Sequence, residues 1–132
     1  MRSHIEFRSS ELLGAHDDGG APQGQEVAKL LRSGLPERGF HVEGMSSEDW
    51  GWRVKISHPA FPLWIGCGFY PELEDGMLCF IEPSKPYVRR WLKRVSTTEV
   101  VELLASALES TLRKSGKAQD LRWWSEDEIT RG

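Results

Sequence analysis

The segment from Leu63 to Glu82 constrains the fold more than any other part of the chain. It holds two short apolar runs, Leu63–Tyr70 and Met77–Glu82, joined by a connection that ends in Asp75-Gly76. Runs of this length suit strands, and so little chain between them cannot make a parallel crossover, so the two form an antiparallel hairpin. With the turn centred near Leu73, Ile65 falls opposite Ile81, Cys67 opposite Cys79 and Phe69 opposite Met77. All six are apolar and share one face, which is predicted to pack on helices. A slip of one residue would exchange the two faces, so the register is well specified. The opposite face pairs Gly66 with Phe80 and Gly68 with Leu78, with Trp64 and Tyr70 flanking them. A large side chain lying over a cross-strand glycine is a recognised sheet device.

Around this hairpin the remaining elements follow from periodicity. His4–Arg8 alternates and reads as a short first strand, and Gln25–Leu35 carries Val27, Leu30 and Leu31 at helical spacing before Gly34 and Pro36 end it. Phe40–Met45 and Trp50–Ser57 are strand candidates separated by the turn residues Ser46–Asp49. In the second of these, Trp52, Val54 and Ile56 face one way and Arg53 and Lys55 the other. Lys85–Arg94 reads as a short basic helix with Pro86 in its first turn and a core stripe of Tyr87, Val88, Trp91 and Leu92. A longer helix follows, capped by Ser96 or Thr97, its stripe formed by Val100, Leu104, Ala107, Leu108 and Leu112 and widened by Val101 and Leu103. The expected class is α+β: an antiparallel four- to five-stranded meander with helices packed on one face. At 132 residues the chain is expected to be one domain, with a flexible loop near 14–24 and a C-terminal tail over 117–132.

The glycine-rich stretch Gly14–Gly24 is too polar to offset the entropy of ordering it. A net charge of −3 gives no general attraction to nucleic acid or to an anionic membrane. No apolar run reaches the length of a signal peptide or a membrane span, and two cysteines make no disulfide framework. A cytoplasmic location with reduced thiols is the expectation.

Few motifs carry chemistry. Cys67 and Cys79 fall side by side, but without a Cys-x-x-Cys spacing or an adjacent base they read as two buried thiols acting as small hydrophobes. His16-Asp17-Asp18 groups metal-ligand types within the loop, where a solvated segment is the simpler reading, and no metal or cofactor is expected. The stretch Lys85–Arg94 interleaves aromatics with cations as a single-strand nucleic-acid binder would, yet the same residues read as a helix with a solvated basic side, which argues against nucleic acid. Glu48-Asp49-Trp50-Gly51-Trp52 places carboxylates at a hairpin turn, with a bulge or close approach expected at Gly51. No nucleophile accompanies those carboxylates, and phosphate-binding glycine loops, His-Glu-x-x-His and Gly-x-Ser-x-Gly are all missing, which lowers the expectation of an enzyme.

The Glu48–Trp52 string, followed by Phe61-Pro62-Leu63-Trp64-Ile65-Gly66-Cys67-Gly68, resembles small bacterial α+β domains, some of them similar to toxin-immunity proteins. The resemblance spans roughly Gly39 to Phe80 and transfers no catalytic residue. A fold-level analogy extends to the dimeric chaperones of type III secretion, which set helices on a partner-binding sheet, although their helix-first order differs.

The second sheet face is therefore the candidate surface, with Trp64, Tyr70 and Phe80 as an aromatic floor, Arg53 and Lys55 at its side and Asp49 at its rim. An apolar face of this kind needs a cover. The tail with Trp123-Trp124 or the first strand and its loop would serve, as would a homodimer or a protein partner. The leading expectation is a non-catalytic protein-interaction domain, immunity-like or chaperone-like; the alternative is a small-molecule-binding protein or small enzyme using the same face.

Overall fold

The computed structural model describes residues 1–14, 22–125 and 128. Among the described residues, eight strands and three α-helices follow one another as β1 (His4–Arg8), α1 (Ser10–Leu13), α2 (Gln25–Gly34), β2 (Val42–Glu48), β3 (Gly51–Ile56), β4 (Leu63–Phe69), β5 (Gly76–Glu82), β6 (Tyr87–Arg90), β7 (Lys93–Ser96), α3 (Thr98–Ser115) and β8 (Gln119–Trp124). The class is α+β. Six strands form an antiparallel sheet in the order β2-β3-β4-β5-β1-β8, while β6 and β7 pair with each other alone.

The meander β2 to β5 is the one the sequence predicts. Its central hairpin has the expected register, with Ile65 opposite Ile81, Cys67 opposite Cys79 and Phe69 opposite Met77. Ile65, Cys67, Met77, Cys79 and Ile81 are fully buried, as are Ile5, Phe7 and Val54 from the neighbouring strands. Against them pack Val27, Ala28 and Leu31 of α2 and Val101, Leu104, Leu108 and Leu112 of α3, which together form one core. Each Val, Leu, Ile, Phe or Met side chain so removed from water stabilises the fold by about 1.5–3 kcal/mol. The two helices approach closely at Gly34, where a Cβ would stand 2.6 Å from the Thr111 methyl group. A larger residue there would force α2 and α3 apart. The N–H and side chain of Arg2 tie the start of β1 to Glu102 on α3, with bonds of 2.8 and 3.0 Å, and Trp123 of β8 donates to Glu109 at 2.7 Å. These bonds hold both carboxyls below the ordinary carboxylate value. For Glu102 partial burial pulls the other way and is outweighed by the Arg2 bonds; for Glu109 the Trp123 bond leads, joined by Arg113 and Arg2.

The structure corrects the expectations in five places. First, Lys85–Arg94 is not a helix. Tyr87–Arg90 and Lys93–Ser96 form a hairpin in which Val88 opposes Val95 and Arg90 opposes Lys93. Only Val88 and Val95 pack on the core, while Trp91 and Leu92 at its tip are 93% and 87% exposed. A short apolar run reads equally well at either period, and here period two prevails because the hairpin's base is clamped. The Thr97 hydroxyl donates to the Lys85 carbonyl and the Thr97 N–H to the Pro86 carbonyl. Second, that use of the hydroxyl leaves α3 without a side-chain cap, although Thr97 occupies the cap position. Third, the segment beyond Lys117 carries β8, which adds to the sheet beside β1 rather than lying over it, so the sheet reaches six strands. Fourth, β2 extends through Glu48, and the turn to β3 is Asp49-Trp50. Fifth, Phe69 is exposed despite its register: it is the last residue of β4 and borders a hollow shared with Trp50, Trp64 and Phe80, and Leu103 is exposed on α3. Most of the loop expected near 14–24, including His16-Asp17-Asp18, lies outside the described residues, as does most of the chain after Ser125.

An open aromatic face beside a basic cleft

The face of the sheet turned away from the helices carries a row of paired positions, Arg53, Gly66, Phe80, His4 and Trp124, one from each of five adjacent strands. Gly66 is what allows the row to pack. A Cβ there would fall 2.3 Å from Phe80 Cζ, so the ring lies directly over the glycine. This is the cross-strand arrangement the sequence predicts. Trp64, two residues before Gly66 on β4, meets Phe80 edge-on at 5.5 Å between ring centres. Trp50 reaches over from the Asp49-Trp50 turn to contact both, at 6.0 Å from Trp64 and 5.2 Å from Phe80, while His4 stacks on Phe80 at 5.8 Å.

Two glycines set the position of Trp50. A Cβ on Gly51 would lie 2.1 Å from the Cys67 carbonyl oxygen, and one on Gly68 would lie 2.9 Å from the Trp50 carbonyl oxygen. Backbone therefore meets backbone there, as expected for Gly51 from sequence. Trp50, Trp64, Gly68, Phe69, Leu78 and Phe80 enclose an apolar hollow of about 350 Å³. Among the described residues no helix or strand lies across it, and Trp50 and Phe69 remain 43% and 47% exposed.

On the other side of Trp64 lies a second cavity of about 430 Å³ with different chemistry. Arg53 and Lys55 of β3, Arg90 of β6, Glu43, His58 and Phe61 line it together with Trp64. The Arg53 guanidinium sits 4.1 Å from the centre of the Trp64 ring, a cation–π contact. Its nearest carboxylate is Glu48, at 3.7 Å, and its Nε is buried with no hydrogen-bond partner. His58 Nδ1 accepts from the Ala60 N–H at 3.3 Å, so the neutral ring carries its proton on Nε2.

Of the residues singled out from sequence, the structure brings together Arg53, Lys55, Trp64 and Phe80. It sets Tyr70 apart, one residue past the end of β4, where partial burial and the Glu6 and Glu72 carboxylates raise its phenol above the ordinary value and Arg122 partly offsets them. Asp49 is exposed in the turn under Trp50 and lines neither cavity. Four contributors were not legible: His4, Trp124 and Arg90 because they come from strands distant in sequence, and His58 because nothing in its neighbours marks it. The Trp-Gly-Trp string held the clue to Trp50, since a tight turn before Gly51 frees that side chain to fold over the face. At the end of the row, Trp124 donates its Nε1–H to Glu6 and lies under Arg122, whose charge is 4.0 Å from its ring centre, so the far end of the face has its own partners.

Cys67 and Cys79 are buried free thiols on the core side. A hydrogen bond between them, together with burial, pushes the Cys67 thiol well above its ordinary value, which keeps it protonated and unreactive. Among the described residues no group of three His, Cys, Asp or Glu side chains is arranged to hold a metal, and no helix is long and apolar enough to cross a membrane. No protein-family model matches the chain, and no curated protein is detectably similar to it.

Proposed function

We propose that this protein is a non-catalytic interaction domain of the cytoplasm that holds a segment of a partner protein on the open face of its sheet, in the manner of an immunity-like or chaperone-like protein. The observation that carries the reading is the hollow between Trp50, Trp64 and Phe80, an apolar and partly exposed surface held in place by Gly51, Gly66 and Gly68. Rigid aromatic side chains of this kind are the usual anchors of binding energy at interfaces. Arg53 and Lys55 beside the hollow favour a partner segment that follows an aromatic or leucine side chain with a carboxylate. The buried thiols fit a reducing compartment.

The test is selection of a displayed random-peptide library on the folded protein, with Trp64→Ala and Phe80→Ala as counter-screens and light scattering run in parallel. Enriched peptides should carry an aromatic or leucine residue within two positions of Asp or Glu. Their affinity should fall at least about tenfold in Trp64→Ala, the scale of one interface anchor. Absence of enrichment, or enrichment that survives both variants, would sink the reading. So would a stable dimer that Trp64→Ala dissolves, because the face would then belong to a second copy.

A further inference from the structure

We infer that the cleft between β3, the His58–Leu63 segment and the β6–β7 hairpin is a binding site for a phosphate monoester. The cleft adjoins the aromatic hollow and shares Trp64 with it, and its Arg53 and Lys55 are the cations proposed above to meet a partner's carboxylate; the phosphate site goes beyond that reading and is tested without a partner segment. Three cations line the cleft: Arg53, Lys55 and Arg90. Glu43 is the one carboxylate in that lining, which leaves a formal excess of two positive charges, the complement of a phosphate dianion. Among the described residues neither Lys55 nor Arg90 has a carboxylate within 4.0 Å, and the Arg53 Nε stands 3.7 Å from Glu48, too far for a hydrogen bond, and has no other hydrogen-bond partner. Like charges converging on one cavity repel each other, and an oxyanion between them converts that repulsion into attraction.

The geometry suits the same ligand. The Arg53 fork is braced against the Trp64 ring, and a planar guanidinium fixed in this way presents paired N–H groups to an oxyanion. His58 contributes a donor at Nε2, because its Nδ1 is engaged by Ala60. Arg90 arrives from a different hairpin, held in place by the packing of Val88 and Val95 on the core and by the Thr97 clamp. Ile56, Phe61 and Leu63 add an apolar part to the lining beside these polar groups. At about 430 Å³ the space takes the phosphate and a small organic body attached to it. That body is either a free phosphorylated metabolite or the phosphorylated side chain of a polypeptide.

Calorimetric titration at constant ionic strength, set with chloride, tests the site in the full chain. The probes are inorganic phosphate, O-phosphoserine and a short phosphoserine peptide carrying leucine beside the phosphorylated residue. Inorganic phosphate should bind the wild type, and Arg90→Ala and Lys55→Ala should each weaken it at least about tenfold, the worth of one charge-assisted hydrogen bond. Both residues are exposed, so both variants should fold; without phosphate their Tm should equal or exceed that of the wild type, because a repulsion has been removed. Peptide binding tighter than free phosphoserine would assign the phosphate to a polypeptide, and equal affinities would assign it to a metabolite. Heats no larger than those of chloride, or phosphate affinity unchanged in both variants, would overturn the inference.

Discussion

Replacing Gly66 with alanine tests the packing of the open face directly. The new methyl group would lie 2.3, 2.5 and 2.8 Å from three Phe80 ring atoms, and no carbon pair tolerates such distances. The ring has to leave its place over β4. Overpacking of this kind costs about 1–3 kcal/mol. Displacing Phe80 also loosens its contacts with Trp64, Trp50 and His4, where a single aromatic pair contributes about 0.5–1.5 kcal/mol. Two effects act in the opposite direction. Alanine lowers the entropy of the unfolded chain by the equivalent of about 0.4–1 kcal/mol, and Phe80 is only half-buried, so it can swing outward. The net expectation is a loss of about 1–2 kcal/mol in urea unfolding, with an unchanged m-value and a weaker near-ultraviolet circular dichroism signal from the tryptophans. In Gly66→Ala/Phe80→Ala the clash has no second partner, so the double variant should lose less than the sum of the single losses. A Gly66→Ala protein as stable as the wild type, or strict additivity in the double variant, would refute the account of the face.

Three other outcomes are expected. Leu104→Ala, at a fully buried position of α3, should cost about 2–5 kcal/mol in chemical denaturation, while Leu103→Ala one residue earlier should stay within about 0.5 kcal/mol; similar losses would mean that the helix is rotated. Glu102 and Glu109 have carboxyls held below the ordinary carboxylate value, so their contribution is complete above the unfolded-state value of about 4.3 and is lost as pH falls through the depressed native values. Thermal melts between about pH 6 and pH 3 should therefore show a shallower acid loss in Glu102→Gln/Glu109→Gln than in the wild type, and parallel curves would contradict it. Trp91 has a φ of 61° at an exposed hairpin tip, so Trp91→Gly should be neutral or stabilising by up to about 1 kcal/mol, and a loss larger than that would show that the ring has a structural role.

The parts of the fold that were legible are those in which local pattern and tertiary environment agree. The β4–β5 hairpin carries two alternating faces, both apolar, and only one register keeps Cys67 against Cys79 and Phe80 over Gly66, so the pairing could be derived without coordinates. The same reasoning failed at Tyr87–Leu92. Four apolar residues in six positions satisfy helical spacing, and the decisive contacts, Thr97 with Lys85 and Pro86, connect groups whose pairing no local pattern reveals. The site divides in the same way. Arg53, Lys55, Trp64 and Phe80 were found because strand alternation places them on one face. Arg90 was assigned to the solvated side of a helix that does not form, and its approach to Lys55 exists only because β6 and β7 fold back as a hairpin. Aromatic residues in β8 looked like a cover for the sheet when considered as side chains, but their backbone completes the edge of β1.

The position of β1 also sets the order in which the chain can fold. The strand lies between β5 and β8, so both of its hydrogen-bonding edges wait for segments synthesised long after it. Until β5 leaves the ribosome, His4–Arg8 is a strand with no partner for its Ile5 and Phe7 face, and until β8 follows, it is a bare edge beside a finished meander. Pairings between residues so far apart in sequence close slowly. An unpaired strand edge during that interval is where neighbouring nascent chains can add on. Chains that stop short of Gln119 are therefore the species expected to aggregate, even though every residue of the aromatic face except Trp124 would already be present.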